Sequence, residues 1–416
     1  MENKKLSIGL NIYIIFVVSW FIHLGSRMPV LGLIRIDMLL VLILFVLSFT
    51  AGKDHNHHEG NYIRGIENAL YILIAYSILT VPFVEWPGSV LSHGFINFIK
   101  AIIFYFFTVK FVRTEHQLKV FLSFFILCQT FRVLEPTYLH FAQGYWGSQA
   151  YMSDGQGLNR LAGAPDDVIN PNGLAFVILT VVPFYYYFFS YSLWTKLLAP
   201  PLFGVSIYAL MLTNSRSGFV GLLVILSAFF IKSKKKGLFI AGALLSAAIL
   251  FPTLDADQKD RYQSIFDSDT KNAATAEGRI SGIKNNFMVA LRKPLFGHGL
   301  GTSREANANF GGSDQPAHNL YAEISQELGF IGLGIFLLYI WRVIKQVGPQ
   351  MKILSNSFRE TDFLSRLNNS LKIWFAMNLL FSLASYGLSS YEWYLFPGLC
   401  NSMVGRAGQR ASTKKS

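Results

Sequence analysis

The sequence predicts an all-α polytopic membrane protein with about twelve transmembrane helices, and composition and patterning carry that expectation. Of 416 residues, 52% are hydrophobic and 14% charged, whereas an ordinary soluble domain carries about 25% charged residues. Mean hydropathy is +0.38. The apolar residues are gathered into blocks of roughly 16–22, each long enough to cross a hydrocarbon layer about 30 Å thick at 1.5 Å per residue. A soluble enzyme, a disordered tail protein and a disulfide scaffold are excluded.

The blocks lie near residues 8–24, 33–50, 66–84, 94–112, 118–134, 172–190, 198–213, 217–232, 237–252, 323–341, 369–387 and 389–405. The first has no small-residue cleavage site behind it and is read as a retained span rather than a removed signal peptide. Net charge is +12, from 36 basic and 24 acidic residues. The basic residues sit between apolar blocks, where they orient a membrane chain rather than bind nucleic acid. Lys4, Lys5, Lys53, Arg64, Lys110, Arg113, Lys119, the Lys232–Lys236 cluster, Arg342, Lys345 and the C-terminal Arg406, Arg410, Lys414 and Lys415 all fall on the side of the N-terminus. That side is expected to be cytoplasmic. Cys128 and Cys400 lie in apolar stretches and read as packing residues.

The chain is thus organised as N-terminal spans 1–5 over 1–134, an outer loop at 135–171, spans 6–9 over 172–252, a large periplasmic loop at 253–322, and spans 10–12 with a cytoplasmic tail over 323–416. The large loop, between spans 9 and 10, carries its own amphipathic pattern. Ile280, Ile283, Phe287 and Leu291 recur at three- and four-residue steps, so a helix with one apolar stripe is expected there. Pro294 stops it, and Gly297, Gly299 and Gly301 make a turn. Loops of this length are usually functional or disordered. Such patterning favours function.

Three basic residues on this side point to anion chemistry. Arg216 lies in Thr213-Asn214-Ser215-Arg216-Ser217-Gly218, between spans 7 and 8. Its guanidinium fork matches phosphate oxygens two at a time, although an interfacial arginine also snorkels to headgroups. Arg279 opens the amphipathic helix, where helix N–H groups add to an anion-attracting patch, unless it merely pairs with Glu277. His318, just before span 10, can accept a proton from a hydroxyl or serve as a capping residue. Arg160, the sole lysine or arginine in the 135–171 loop, is a weaker fourth candidate. Together, two arginines to stabilise charge on a phosphate leaving group and an imidazole to deprotonate an acceptor suit group transfer without a metal.

This constellation resembles the O-antigen ligase and polymerase superfamily of bacterial envelope glycan assembly. The resemblance rests on Thr213–Gly218, Arg279, the run Pro294-Leu295-Phe296-Gly297-His298-Gly299-Leu300-Gly301, His318-Asn319-Leu320-Tyr321 and Glu327-Leu328-Gly329-Phe330-Ile331-Gly332, in order over roughly residues 205–345. It implies an inverting, metal-independent glycosyltransferase of the bacterial inner membrane with no cofactor. Its donor would be a polyprenyl-pyrophosphate-linked glycan and its acceptor a hydroxyl of a lipid A-core type or other glycan, met on the periplasmic side. Arg216 and Arg279 would hold the pyrophosphate, and His318 would activate the acceptor. Arg160, Asn319 and Tyr321 are carried over as substrate-binding residues. A ligase and a polymerase joining lipid-linked repeat units share these motifs. A lipid-linked oligosaccharide flippase is the alternative from another class, but no repeat relates the two halves as transporters tend to show.

Other signals are set aside. His55, His57 and His58 sit in a charged cytoplasmic loop without cysteine and read as solvated. Asp255/Asp257 and Asp267/Asp269 resemble metal-holding pairs, but the first outer loop, where metal-dependent enzymes of this kind carry theirs, has no carboxylate. Gly297–Gly301 follows no strand and is not a dinucleotide loop. Gly329, Gly332 and Gly334 read as close helix packing. Tyr145, Trp146 and Tyr151 are candidates to stack on sugar rings.

Overall fold

A computed structural model of the chain describes residues 7–50, 61–147, 159–250, 252, 259–260, 262, 273–357, 359, 362–384 and 387–413. The histidine cluster, both aspartate pairs and Tyr151 lie outside these residues. Helix is the only regular secondary structure among the described residues. In chain order the long helices are α1 (Ile8–Ile22), α2 (Ile36–Thr50), α3 (Asn61–Leu79), α4 (Phe95–Phe111), α5 (Glu115–Gln143), α6 (Pro171–Phe188), α7 (Leu193–Leu212), α8 (Arg216–Lys232), α9 (Lys236–Leu250), α10 (Ala273–Ala290), α11 (Leu320–Ser357), α12 (Phe363–Phe381) and α13 (Glu392–Thr413). Among the described residues, six segments are long and apolar enough to cross a membrane: Gly65–Phe83, Pro87–Phe111, Glu115–Gln143, Pro171–Phe188, Leu193–Leu212 and Leu320–Pro349. Ile8–Ile22, Ile36–Phe49 and Lys236–Leu245 are apolar but shorter. The chain is a multi-pass helical membrane protein.

The expected amphipathic helix before Pro294 is α10. Two elements differ from expectation. Helix α5 does not end at 134 but runs through Pro136 to Gln143. A proline lacks an N–H and crowds the preceding turn. One residue on, the Thr137 hydroxyl donates to the Val133 carbonyl at 2.6 Å. Helix α11 is broken at Gly329, where φ is 69° and ψ −179°. That glycine does pack closely, but against the Pro294–Leu295 turn rather than a neighbouring helix: a β-carbon on it would run into both carbonyls. Gly332 does pack closely, against Leu328 and Tyr76, whereas Gly334 meets nothing within 4 Å.

The chain divides into two compact units. The first comprises residues 1–50, 119–274 and 360–377, with α1, α2, most of α5, α6–α9 and most of α12. Association in a bilayer depends on shape rather than on expelling water, and the centre of this unit is aromatic. Trp374 is fully buried, its ring centroid 5.8 Å from Phe125 and 6.5 Å from Phe184. Gly218 lets α8 approach closely, because a β-carbon there would lie 2.8 Å from that of Ala175 on α6 and 3.0 Å from Leu210 on α7. The two ends of this unit differ chemically. Where α8 ends, Lys232 donates to Asn369 at 2.6 Å and Arg366 to the Tyr187 carbonyl at 2.6 Å. The end where α8 begins holds the candidate site.

The second unit comprises residues 51–118, 275–359 and 378–416, with α3, α4, most of α10, α11 and α13. Helix α13 packs on α4 through Gly398, whose β-carbon would stand 3.0 Å from that of Thr108. The Tyr339 hydroxyl donates to the Trp393 carbonyl at 2.7 Å and joins α11 to α13.

Candidate active site

In the first unit, α7 must stop and α8 start within three residues. Thr213 closes α7, its hydroxyl donating to the Leu210 carbonyl at 2.7 Å. Asn214 takes φ 50°, a left-handed conformation that asparagine tolerates better than most residues. Ser215 caps α8 by accepting from the Gly218 N–H at 3.1 Å. Arg216 is therefore the first residue of α8, half-buried beside free-ended helix N–H groups and the positive end of the helix dipole.

The structure brings Arg160 to this turn. Arg160 Nε donates to the Thr213 carbonyl at 3.0 Å, and its Nη2 to Asn172 Oδ1 at 3.0 Å. The same Asn172 oxygen accepts from the Ser215 hydroxyl at 2.9 Å. Asn214 reaches back to the Asn159 carbonyl at 3.1 Å, and the Leu161 N–H donates to the Leu212 carbonyl at 2.9 Å. A stretch before α6 is thus laced to the α7–α8 turn, with two guanidinium-bearing residues on it. Tyr262, from the large loop, is buried beside them with its hydroxyl 3.0 Å from the Met211 carbonyl. Asn172 was not a sequence candidate. Its signal was present in Asn170-Pro171-Asn172-Gly173, where Asn170 caps α6 by accepting from the Gly173 N–H at 2.8 Å.

A second cluster at the same end also escaped the sequence reading. Arg132 on α5 is 9% exposed and grips Asp167 with Nε to Oδ2 at 2.6 Å and Nη2 to Oδ1 at 3.0 Å. His23 Nε2 lies 3.1 Å from Asp167 Oδ1. Burial pushes the Asp167 carboxyl up, but the His23 hydrogen bond and the Arg132 guanidinium outweigh it and hold the group down at about 2. Arg27 makes a two-pronged ion pair with Glu135 and lies 3.8 Å from Asp166. The hydrogen bond to Glu135 raises the Arg27 guanidinium. The signal for this cluster was an arginine and a histidine inside apolar blocks 118–134 and 8–24, costly positions that call for partners.

In the second unit α10 begins at Ala273, so Arg279 is its seventh residue and does not open the helix as expected, and the free N–H groups of the first turn lie ahead of it. His318 is exposed, one residue ahead of Asn319. Asn319 caps α11: its Oδ1 accepts from the Tyr321 and Ala322 N–H groups, each at 3.0 Å, and its Nδ2 donates to the Leu383 carbonyl at 3.0 Å. Its amide is engaged in holding His318 at the helix entrance. The Tyr321 hydroxyl accepts from Ser382 at 3.3 Å.

The glycine-rich run is the brace between these elements. The His298 N–H donates to the Gln326 carbonyl at 2.7 Å, its carbonyl accepts from Glu85 at 3.1 Å, and its ring Nε2 donates to the Val289 carbonyl at 3.1 Å. Burial depresses the His298 imidazole, so it stays neutral and acts as a strut. Glu327 accepts from the Gly301 N–H at 2.8 Å. Gly297 and Gly301 have φ 72° and 77° and press on the backbones of Glu327–Leu328 and Gly94. Arg279's helix and His318's helix are registered by this brace within one unit.

Among the described residues no three His, Cys, Asp or Glu side chains form a set of metal ligands. The arrangement's chemistry is cationic and hydrogen-bonding. It suits an anionic leaving group and a hydroxyl nucleophile.

Residues 201–337 match a family model described as O-antigen ligase. The match covers the α7–α8 turn, α10, the glycine-rich run and the start of α11, the same segments on which the sequence resemblance rests. The resemblance to the O-antigen ligase superfamily therefore holds over this part of the chain. In general terms it supports a ligase-like or polymerase-type membrane glycosyltransferase acting on lipid-linked glycans. No curated protein matches the chain.

Proposed function

We propose that this protein is a metal-independent, inverting glycosyltransferase of the bacterial inner membrane, with twelve spans and its site on the periplasmic face. It moves a glycan from a polyprenyl-pyrophosphate donor to an acceptor hydroxyl, as an O-antigen ligase does. The observation that supports it most is the laced turn at Thr213–Arg216, where Arg216, inside the matched segment, opens a helix and Arg160, from outside that segment, is bonded to the same turn. A diphosphate gains from both the guanidinium forks and the helix N–H groups.

In this reading Arg216 and Arg279 bind the donor pyrophosphate and Arg160 supports them. The acceptor oxygen attacks the anomeric carbon from the face opposite the leaving group. As that bond forms, the carbon–oxygen bond to the pyrophosphate breaks and its electrons leave with the polyprenyl diphosphate. His318 receives the acceptor proton. The arginines act where negative charge grows, which lowers the barrier, and the imidazole removes the proton as the nucleophile commits.

The test is a strain lacking the gene. Long glycan chains left on the carrier lipid identify a ligase, whereas accumulation of single repeat units identifies a polymerase. Unchanged lipid-linked and surface glycans would refute both.

A further inference from the structure

An apolar groove in the second unit takes no part in glycosyl transfer. It is a cavity of about 500 Å³ between α3, the turn that follows it and α4. Phe98 and Ile102, both buried, form its floor, and Ile78, Leu91 and Ile99, each more than half exposed, form its rim. Every residue of the lining is aliphatic, aromatic or proline. Such a wall offers no hydrogen bond to a sugar or a phosphate, and what fills it is hydrocarbon, held by packing. Its depth selects the hydrocarbon. Along α4 the lining runs from Phe95 to Phe106, which at 1.5 Å per residue is about 16 Å. That is about half of a hydrocarbon layer roughly 30 Å thick, the depth of one leaflet. An acyl chain of a phospholipid matches that length, whereas the polyprenyl chain of a glycan carrier outruns it.

The mouth of the groove is basic. Lys293, just past the end of α10 and 32% exposed, stands 3.1 Å from Glu85 and donates to the Phe83 carbonyl at 3.4 Å, one residue beyond Pro82 of the lining. The Phe83 ring stacks on Phe296 at 5.0 Å. Arg292 is exposed, with its guanidinium 5.0 Å over the Phe310 ring, which in turn meets Trp86 at 6.1 Å. Glu85 balances Lys293, and no carboxylate pairs with Arg292 among the described residues, so one positive charge is left over. In the orientation read from the basic loops this pair faces outward, where a cation does nothing to set topology. Trp86 is the residue type that sits at headgroup level. An apolar slot one leaflet deep beneath a spare cation has the shape and charge of a seat for one anionic lipid.

We propose that the groove between α3 and α4 seats an acyl chain of an anionic phospholipid whose phosphate meets Arg292 and Lys293. The lipid then clamps both sides of the brace. Lys293 precedes Pro294, whose carbonyl accepts from the Phe330 N–H at the break in α11, and the Glu85 N–H donates to the His298 carbonyl. A ligand held only by the folded protein stabilises it. The site needs a bilayer and is independent of the glycosyltransferase reading. Its test uses the full-length protein, purified in detergent and stripped of lipid, with anionic phosphatidylglycerol, zwitterionic phosphatidylethanolamine and polyprenyl phosphate as probes, read by native mass spectrometry and thermal unfolding. Wild type is expected to hold one phosphatidylglycerol at least tenfold more tightly than phosphatidylethanolamine, and to unfold at a higher temperature with it bound. Ile99→Trp fills the groove from an exposed position and should weaken phosphatidylglycerol at least tenfold. Arg292→Gln should still hold a phospholipid but lose the preference for the anionic one. Both variants should unfold with the lipid-stripped wild type, which separates a lost lipid from a lost fold. Equal retention of the two phospholipids by wild type, undiminished phosphatidylglycerol binding by both variants, or tighter retention of polyprenyl phosphate than of phosphatidylglycerol overturns the proposal.

Discussion

Replacing Asp167 by asparagine isolates the strongest electrostatic element of the first unit. The carboxylate is 2% exposed, accepts two bonds from Arg132 and one from His23, and titrates near 2 instead of 3.8. A depression of roughly two pH units corresponds to about 2 kcal/mol of folding free energy. Removing one member of a buried pair costs about 3–5 kcal/mol, because the surviving charge is left unmatched. Arg132 is 9% exposed and would be that charge. The expected loss for Asp167→Asn is therefore about 2–5 kcal/mol, a large part of the 5–15 kcal/mol that holds a typical domain together. The sign with pH follows. A depressed carboxyl contributes stability that is complete above its unfolded value and is lost as pH falls through the folded one. Thermal unfolding of the detergent-solubilised protein should thus drop between pH 4 and 2 in the wild type, and much less in Asp167→Asn. Replacing both partners, Arg132→Met with Asp167→Leu, should restore stability to within about 1 kcal/mol or better. A single variant that melts with the wild type would refute this account of the cluster.

Other consequences are open to direct measurement. Gly329→Ala places a β-carbon on the Leu295 and Pro294 carbonyls in a backbone region almost closed to other residues. It should cost about 3 kcal/mol or more, seen as early unfolding; a wild-type melt would contradict the break in α11. Arg216→Lys should recover little transfer, since a point charge lacks the fork, and full recovery in a transfer assay would remove the bidentate role. His318→Ala should abolish transfer while donor lipid still binds, checked by copurified lipid. Transfer in excess EDTA should be undiminished; loss on chelation with rescue by magnesium would move the chemistry to the aspartates at 255/257 and 267/269.

The sequence exposed the helices because apolar block length is a one-dimensional property; it singled out Arg216 because it sits in a short polar gap between blocks and His318 because it stands just ahead of span 10. It also predicted α10 from a three-and-four spacing. What it hid depends on partners distant along the chain. Asn172 matters because it stands between Arg160 and Ser215, and no spacing rule links those positions. Arg132 and Asp167 are separated by a helix end and a loop, so Arg132 alone reads as a nuisance in an apolar stretch and Asp167 as one more loop carboxylate. Gly329 looked like a helix-packing glycine because its positive φ appears only when the run beginning at Pro294 folds back against it: the Phe330 N–H meets the Pro294 carbonyl at 2.7 Å. The cap that Asn319 places on α11 was hidden because a capping amide and a binding amide have the same one-letter code.

The most direct test of the glycosyl-transfer account is acceptor-dependent release of polyprenyl diphosphate by the purified protein from purified lipid-linked glycan. The account predicts release with wild-type protein, none with Arg216→Ala or His318→Ala, and inversion at the anomeric carbon of the product. Release that proceeds without acceptor, retains the anomeric configuration, or survives both substitutions would contradict it.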